Sequence, residues 1–326
     1  MAMSNRQRFQ ETMHYGRPDR PPYFEEGIRE EVVAAWRQQG LAADADLATL
    51  FPSDSTEYIE PEFDPLPEFE RWPSSRAELV ELEKRLDPAD AARLPGNWAE
   101  QVRALQHEDT VRMLQVHQGF FLSAGVMGWG RFADVMRALT GDPGYVHRLM
   151  EICGEFSASL VERMLAEVSI DAAVFSEPIG DNGGPLISPA MYEEFVLSSY
   201  EPVLQVLRRH GVETIVFLTY ANARLLIPSI LERGFNCLWA CEVFGDAMDY
   251  RDIRREFGRD LRLIGGIDLD ALRQGRDAIR EEIETKVPPL LDGGGYVPLA
   301  DGRVREDVAF EDYAYYRETL RSVLER

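Results

Sequence analysis

Cysteine is scarce in this chain: Cys153, Cys237 and Cys241 are the only three in 326 residues. A count both low and odd excludes a disulfide-stapled scaffold and fits a reducing compartment. Positive charge is also in deficit. Thirty-five Lys and Arg face 57 Asp and Glu, a formal net charge of −22. So acidic a surface repels phosphate backbones and anionic lipid, so neither nucleic acid nor a membrane is an expected partner. No apolar run approaches the ~18 residues a spanning helix needs. The opening MAMSNRQRFQETMHYGRPDRPP lacks an apolar core followed by a cleavage site. No secretory signal is expected there, and the expected location is cytoplasmic. Short-period repeats and low-complexity tracts are absent. No G-x-G-x-x-G follows the first strand-like run, which removes the signature of a dinucleotide-binding open sheet.

What remains is ordinary globular composition, 45% hydrophobic and 28% charged, in which helical patterns alternate with short β-branched and aromatic runs. The strand-like runs are 22–26, 57–63 (interrupted by Pro61), 111–117, 172–177, 214–220, 236–242, 261–265 and 296–300. Helix-like stretches cover 74–106, 142–168, 188–210, 222–233, 250–257, 270–287 and 310–326. Asp142-Pro143 and Ser188-Pro189 are helix starts, Gly234 and Gly258 are helix stops, and Gly293-Gly294-Gly295 reads as a turn. Alternating strands and helices point to a parallel sheet, and eight strands are what a closed ring requires. The fold class expected is α/β: a single (β/α)8 TIM-type barrel domain over residues 1–326, with an N-terminal helical excursion.

In such a barrel the chemistry sits at the C-terminal ends of the strands. The runs end at Glu25-Glu26, His117, Glu177, Tyr220 with Asn222, Glu242, Asp268, and Asp301 with Arg303. Glu177, Tyr220, His117 and Asp301 are the catalytic candidates. Glu25, Glu26, Asn222, Glu242, Asp268 and Arg303 are the substrate-binding candidates. Glu177 follows an apolar strand and precedes a glycine-rich loop, so its carboxylate needs a partner or solvent. Tyr220 could donate a proton or simply line a pocket. Asp268 and Asp301 read equally well as helix N-caps. Glu25 and Glu26 alternate along an extended run, so only one can face inward. Cys237 and Cys241 lie ~13 Å apart at strand rise, too far to share a zinc that each sulfur must approach to ~2.3 Å. No metal site is expected.

Four stretches in collinear order resemble the uroporphyrinogen decarboxylase superfamily. They are RQRFQETMHYGRPDRPP, GPLISPAMYEEFVLSSYEPVL, AMDYRDIRREFGRDLRLIGGIDLDAL and GGGYVPLADGRVREDVAFEDYAYYRETL. The resemblance implies a (β/α)8 barrel and an enzyme of the decarboxylase or methyltransferase branch; it also suggests a homodimer. The decarboxylases of that group carry an Arg-Gln-Ala-Gly-Arg loop where this chain has the acidic PPYFEEG, and arginines gripping several carboxylates are hard to replace. The thiol-activating methyltransferases hold zinc with His-x-Cys where this chain has Leu218 and Tyr220; leucine cannot ligate a metal. The family's Asp-His-x-Val-Pro block reads Asp301-Gly302-Arg303-Val304-Arg305 here.

Three functions fit. The leading one is methyl transfer without zinc, drawing on the cobalamin of a partner corrinoid protein, with Glu177, His117, Tyr220 and Asp301 positioning and protonating a small-molecule substrate. The second is a cofactor-free decarboxylase or lyase, with Arg303 and Arg305 as the cations near Asp301. The third is a non-catalytic small-molecule-binding barrel. No tightly bound cofactor is expected.

Overall fold

The structure is a computed structural model, and it describes residues 2–243 and 247–326. The chain divides into two compact units. One comprises residues 57–108 and 112–236, the other residues 1–56, 109–111 and 237–326. Both are mixed α/β and built on parallel strands.

The first unit orders its strands β1 (Thr56–Ile59), β2 (Val111–His117), β3 (Ala172–Ser176) and β6 (Ile215–Thr219) side by side. β2 pairs with β3 and β3 with β6, both parallel. β1 stops before Pro61, which has no N–H for a ladder. The two-residue strands β4 (Gly180–Asp181) and β5 (Gly184–Pro185) form an antiparallel hairpin after β3. The residues of β2, β3 and β6 are almost all buried. They lie under the helices at Pro143–Leu165 and Ser198–Arg209. Asp142 caps the first of these by accepting from the Tyr145 N–H, as its Asp-Pro start foretells. The expected helix over 74–106 forms instead as Leu79–Arg85, a 3₁₀ turn at Ala91–Arg93, and Trp98–Leu105. Pro88 and Pro95 lie between these pieces and cannot continue a helix. Arg93 is fully buried and donates to the carbonyls of Glu62, Asp64 and Arg85.

The second unit orders β7 (Cys237–Ala240), β8 (Arg262–Ile267) and β9 (Tyr296–Ala300), all parallel. Helices at Tyr250–Phe257, Arg276–Gly293 and Phe310–Leu324 follow β7, β8 and β9. Gly266 has φ +83°, and a Cβ there would fall 2.5 Å from the Tyr250 ring, so only glycine fits. The N-terminal helix Asn5–Met13 opens with a reciprocal Ser4–Gln7 capping box. Asp54, buried, accepts from Arg8 (3.0 Å), Arg20 (2.6 Å) and the Tyr23 N–H (2.9 Å). That cluster pins the Asp19-Arg20-Pro21-Pro22 turn.

Residues 22–26 are not a strand. Pro22 has no N–H, the Tyr23 N–H is taken by the Asp54 carboxylate, and Arg317 donates to the Phe24 carbonyl at 2.8 Å. Side chains consume the backbone groups a ladder would need. The other seven expected runs all form parallel-sheet strands. The expected helix over 270–287 begins later, at Arg276, after a 3₁₀ turn at Leu269–Arg273. Among the described residues no helix is long and apolar enough to cross a membrane.

Candidate active site

Two clusters of functional side chains stand at the C-terminal ends of strands, one in each unit.

The first is built on β2 and β3. Glu177 is wholly buried. Its Oε1 accepts from the Phe120 N–H at 2.9 Å, and its Oε2 accepts from the Tyr192 hydroxyl at 3.1 Å and from the Tyr200 hydroxyl. Burial raises its pKa to about 7, opposed by the bonds from Tyr200, Phe120 and Tyr192. Gly119 makes this possible: a Cβ there, at φ +84°, would sit 2.5 Å from the Ser176 carbonyl and 2.8 Å from Glu177 Oε1.

The tyrosines meet on one oxygen because of a helix defect. Residues Tyr192–Leu197 are π-helical between the α-helical Pro189–Met191 and Ser198–Arg209. An α-helix turns ~100° per residue, which would leave residues eight apart ~80° out of line. A π segment absorbs one extra residue and reduces that offset to ~20°.

His117 is also wholly buried. A register shift between Gln115 and His117 sets it opposite Phe175. It therefore faces the helix layer, where its ring lies 4.5 Å from Tyr200. Its Nδ1 accepts from the Gly119 N–H at 2.9 Å, and desolvation lowers its pKa to about 3. The ring is neutral and carries its proton on Nε2, which has no partner among the described residues. Glu177, two residues beyond Phe175, faces the same layer.

Tyr220 and Asn222 do not join this network. Tyr220 is 45% exposed. The Asn222 N–H donates to the Asp181 carbonyl at 2.9 Å, tying the loop after β6 to the β4–β5 hairpin. Met127, Trp129, Leu186 and Leu225 are exposed as well, so the loops after β2, β3 and β6 present an apolar surface.

The second cluster gathers Glu26, Asp301, Glu242 and Arg303. Burial raises the Glu26 pKa to about 7, helped by the charges of Glu25, Asp301 and Glu242 and opposed by Arg303. Burial also raises Asp301 to about 7, opposed by the bond from the Leu269 N–H and helped by Asp268, Asp270 and Glu282. Cys241 is buried against Glu26, Asp301 and Glu242, and its pKa is raised well above the thiol range. Glu242 adopts φ +54°, the left-handed region that strains a side-chain-bearing residue, and its N–H donates to the Asp301 carbonyl. Its carboxylate pairs with Arg305 at 3.1 Å. Arg303 is exposed.

Glu25 and Glu26 part, as alternation requires. Glu25 accepts from Tyr313 and pairs with Arg317 at 3.1 Å. Asp268 caps the turn it opens, accepting from the Asp270 N–H at 2.8 Å. Asp301 does not cap the helix that follows it, whose N-cap is Ala309; it accepts from the Leu269 N–H at 3.0 Å.

Sequence reading missed Tyr192, Tyr200, Glu282, Lys286 and Arg317. The two tyrosines lay in the quoted Ser-Pro-x-x-Tyr helix but at a spacing no regular helix aligns. Leu218 and Tyr220 offer no imidazole or thiol, so the residues do not fit the zinc of the thiol-activating branch. Among the described residues no three His, Cys, Asp or Glu side chains group to hold a metal.

Parallel βα units carrying raised-pKa carboxyls at their strand ends define an α/β protein equipped for proton chemistry. Residues 55–297 match the model of the family described as uroporphyrinogen decarboxylase, and the chain belongs to that family. Curated relatives include a uroporphyrinogen decarboxylase of Pseudomonas entomophila, 33% identical over 124 residues (36% of this chain, 33% of the relative). Another, from Hydrogenovibrio crunogenus, is 25% identical over 170 residues (51% and 45%). A third, from Neisseria meningitidis serogroup C, is 27% identical over 173 residues (51% and 45%). The chain thus spans a third to a half of the length of these relatives.

Proposed function

We propose that this protein is an enzyme of the decarboxylase kind, a cofactor-free lyase acting on a small carboxylate substrate. The observation that carries the reading is a pair of carboxyls, Glu26 and Asp301, each held up to about 7 by burial, with the exposed Arg303 acting on Glu26. Decarboxylation breaks the bond to CO2 and leaves the electron pair on carbon, which must then gain a proton. A carboxyl still protonated near neutral pH supplies it. Arg303 orients a substrate carboxylate. Glu177, His117, Tyr192 and Tyr200 brace the strand ends rather than touch the substrate.

Methyl transfer to the corrinoid of a partner protein is a second reading. The acidic PPYFEEG segment favours it, since it stands where decarboxylases resemble one another in arginines. The same protonated carboxyls would then protonate a departing methoxyl or amine. Incubation with a panel of small carboxylic acids separates the two. CO2 release that is lost in Asp301→Asn supports the lyase. Methylation of added cob(I)alamin from methoxyl or methylamine donors, with no CO2 from any acid, overturns it in favour of methyl transfer. A tightly held small molecule with no turnover of either kind overturns both and leaves a binding barrel.

A further inference from the structure

Three successive backbone amides in the turn after β8 each donate to a different carboxylate. The Asp268 N–H donates to Glu282 Oε1 at 2.7 Å, the Leu269 N–H to Asp301 Oδ1 at 3.0 Å, and the Asp270 N–H to Asp268 Oδ1 at 2.8 Å. Three carboxylates so placed repel one another unless a cation or a proton intervenes. One cation is there. Lys286, one turn along the helix Arg276–Gly293 from Glu282, donates to the same Glu282 Oε1 at 2.6 Å. The side chains of this pair are 15% and 13% exposed. Lys286 also lines, with Asp249, Asp268 and Asp301, a cavity of about 20 Å³, room for about one water.

Most neighbouring carboxylates have their own cation. Glu282 pairs with Lys286, Asp249 with Arg251, Asp270 with Arg273, Glu242 with Arg305 and Glu25 with Arg317. Asp301 pairs with none among the described residues, and Asp268 is held by its own turn. The remaining groups facing Asp301 are Glu26 and the Cys241 thiol. Arg303, in the loop after Asp301, acts on Glu26.

We propose that the partly buried Glu282–Lys286 pair is a positioning device that keeps the proton of this cluster on Asp301. Glu282 fixes the turn that presents the Leu269 N–H, and Lys286 neutralises Glu282 so that Glu282 does not compete for the proton. The raised pKa of Asp301, to which Glu282 contributes, agrees with that partition. The inference rests on the proposed role of Asp301 as proton donor only for its consequence in turnover; the electrostatics are testable without it.

The test is a side-chain carboxyl titration by ¹³C NMR of aspartate-labelled protein, with Asp301 assigned by its loss in Asp301→Asn. Glu282→Gln removes a negative charge and leaves Lys286 unpaired. It is expected to lower the Asp301 pKa by about one unit or more, the effect of a close opposite charge. Glu282→Gln with Lys286→Met removes both charges and is expected to restore most of that shift. An Asp301 resonance that titrates as in wild type in the single variant overturns the inference, and so does a double variant that stays shifted. If the single variant does not fold, Lys286→Met carries the test: with Glu282 left unneutralised the Asp301 pKa is expected to rise by about one unit or more, and an Asp301 resonance that titrates as in wild type overturns the proposal. A shifted pKa with an unmoved pH profile of CO2 release supports the inference and removes Asp301 from the proposed chemistry instead.

Discussion

Replacing Tyr200 by phenylalanine deletes one hydroxyl from the Glu177 network and little else. The ring that packs against His117 at 4.5 Å and Phe175 at 5.0 Å is retained. Glu177 keeps the Tyr192 hydroxyl and the Phe120 N–H. The cost depends on the charge of Glu177, whose pKa is raised to about 7. At pH 8.5 the carboxyl is ionised, and a hydrogen bond to a buried charge contributes about 1.5–3 kcal/mol. At pH 5 it is protonated, and the bond is a neutral one worth about 0.5–1.5 kcal/mol. The sign follows from linkage. Losing a donor raises the folded-state pKa further above that of the unfolded chain, so the variant loses more stability than wild type as pH rises through 7. The destabilisation should therefore grow by about 1–1.5 kcal/mol between pH 5 and pH 8.5. With an unfolding entropy of about 2.1 cal/mol/K per residue, 1 kcal/mol shifts Tm by about 1.5 °C in a chain this long. Urea midpoints for both proteins at both pH values, at unchanged m, measure it. An equal difference at the two pH values would refute an ionising Glu177, and no difference at either would refute the hydroxyl contact.

Four further outcomes are expected. Between about pH 6.5 and 7.5 wild-type stability should fall, because Glu26, Glu177 and Asp301, raised to about 7, ionise there in the folded state, while His117, lowered to about 3, opposes them only below the imidazole range; calorimetry showing stability climbing across that window contradicts this. Gly119→Ala should lose about 2 kcal/mol or more, from a left-handed backbone and a 2.5 Å clash with a carbonyl; a melting temperature like wild type would be the contrary result. Arg93→Met should cost about 2 kcal/mol or more by leaving the carbonyls of Glu62 and Asp64 without the guanidinium, while the Arg85 carbonyl keeps the Leu66 N–H, read as loss of soluble yield or of the urea midpoint. Elemental analysis of purified protein should find no stoichiometric zinc, and one zinc per chain would reverse that expectation.

The two clusters differ in how far they could be read in advance. Asp301 and Glu26 were legible as strand-end acids, since short apolar runs that stop at a charge are local features. Their raised pKa values were not, because the desolvating neighbours come from residues 25–26, 241–242, 268–270 and 282, far apart along the chain. Glu177 was singled out on the argument that a carboxylate after an apolar strand needs a partner. The partners turned out to be two tyrosines brought into line by a π segment, and no sequence signal marks that segment. His117 was legible as the end of its strand-like run, but the side it faces is set by one register shift at Gln115.

Sequence alone determined what depends on a few adjacent residues. The Asp142-Pro143 and Ser188-Pro189 starts, the Gly234 stop and the strands Val111–His117 and Tyr296–Ala300 all form where their residues say they should. Backbone preference and hydrophobic period act over one turn or a few strand residues, so no distant contact was needed. Tertiary structure decided the rest. It turned Pro22–Glu26 from a strand into an extended segment, because Asp54 and Arg317 take its backbone groups. It likewise chose which carboxyls stay protonated. Burial and charge are sums over neighbours in space, and those neighbours exist only once the chain has folded.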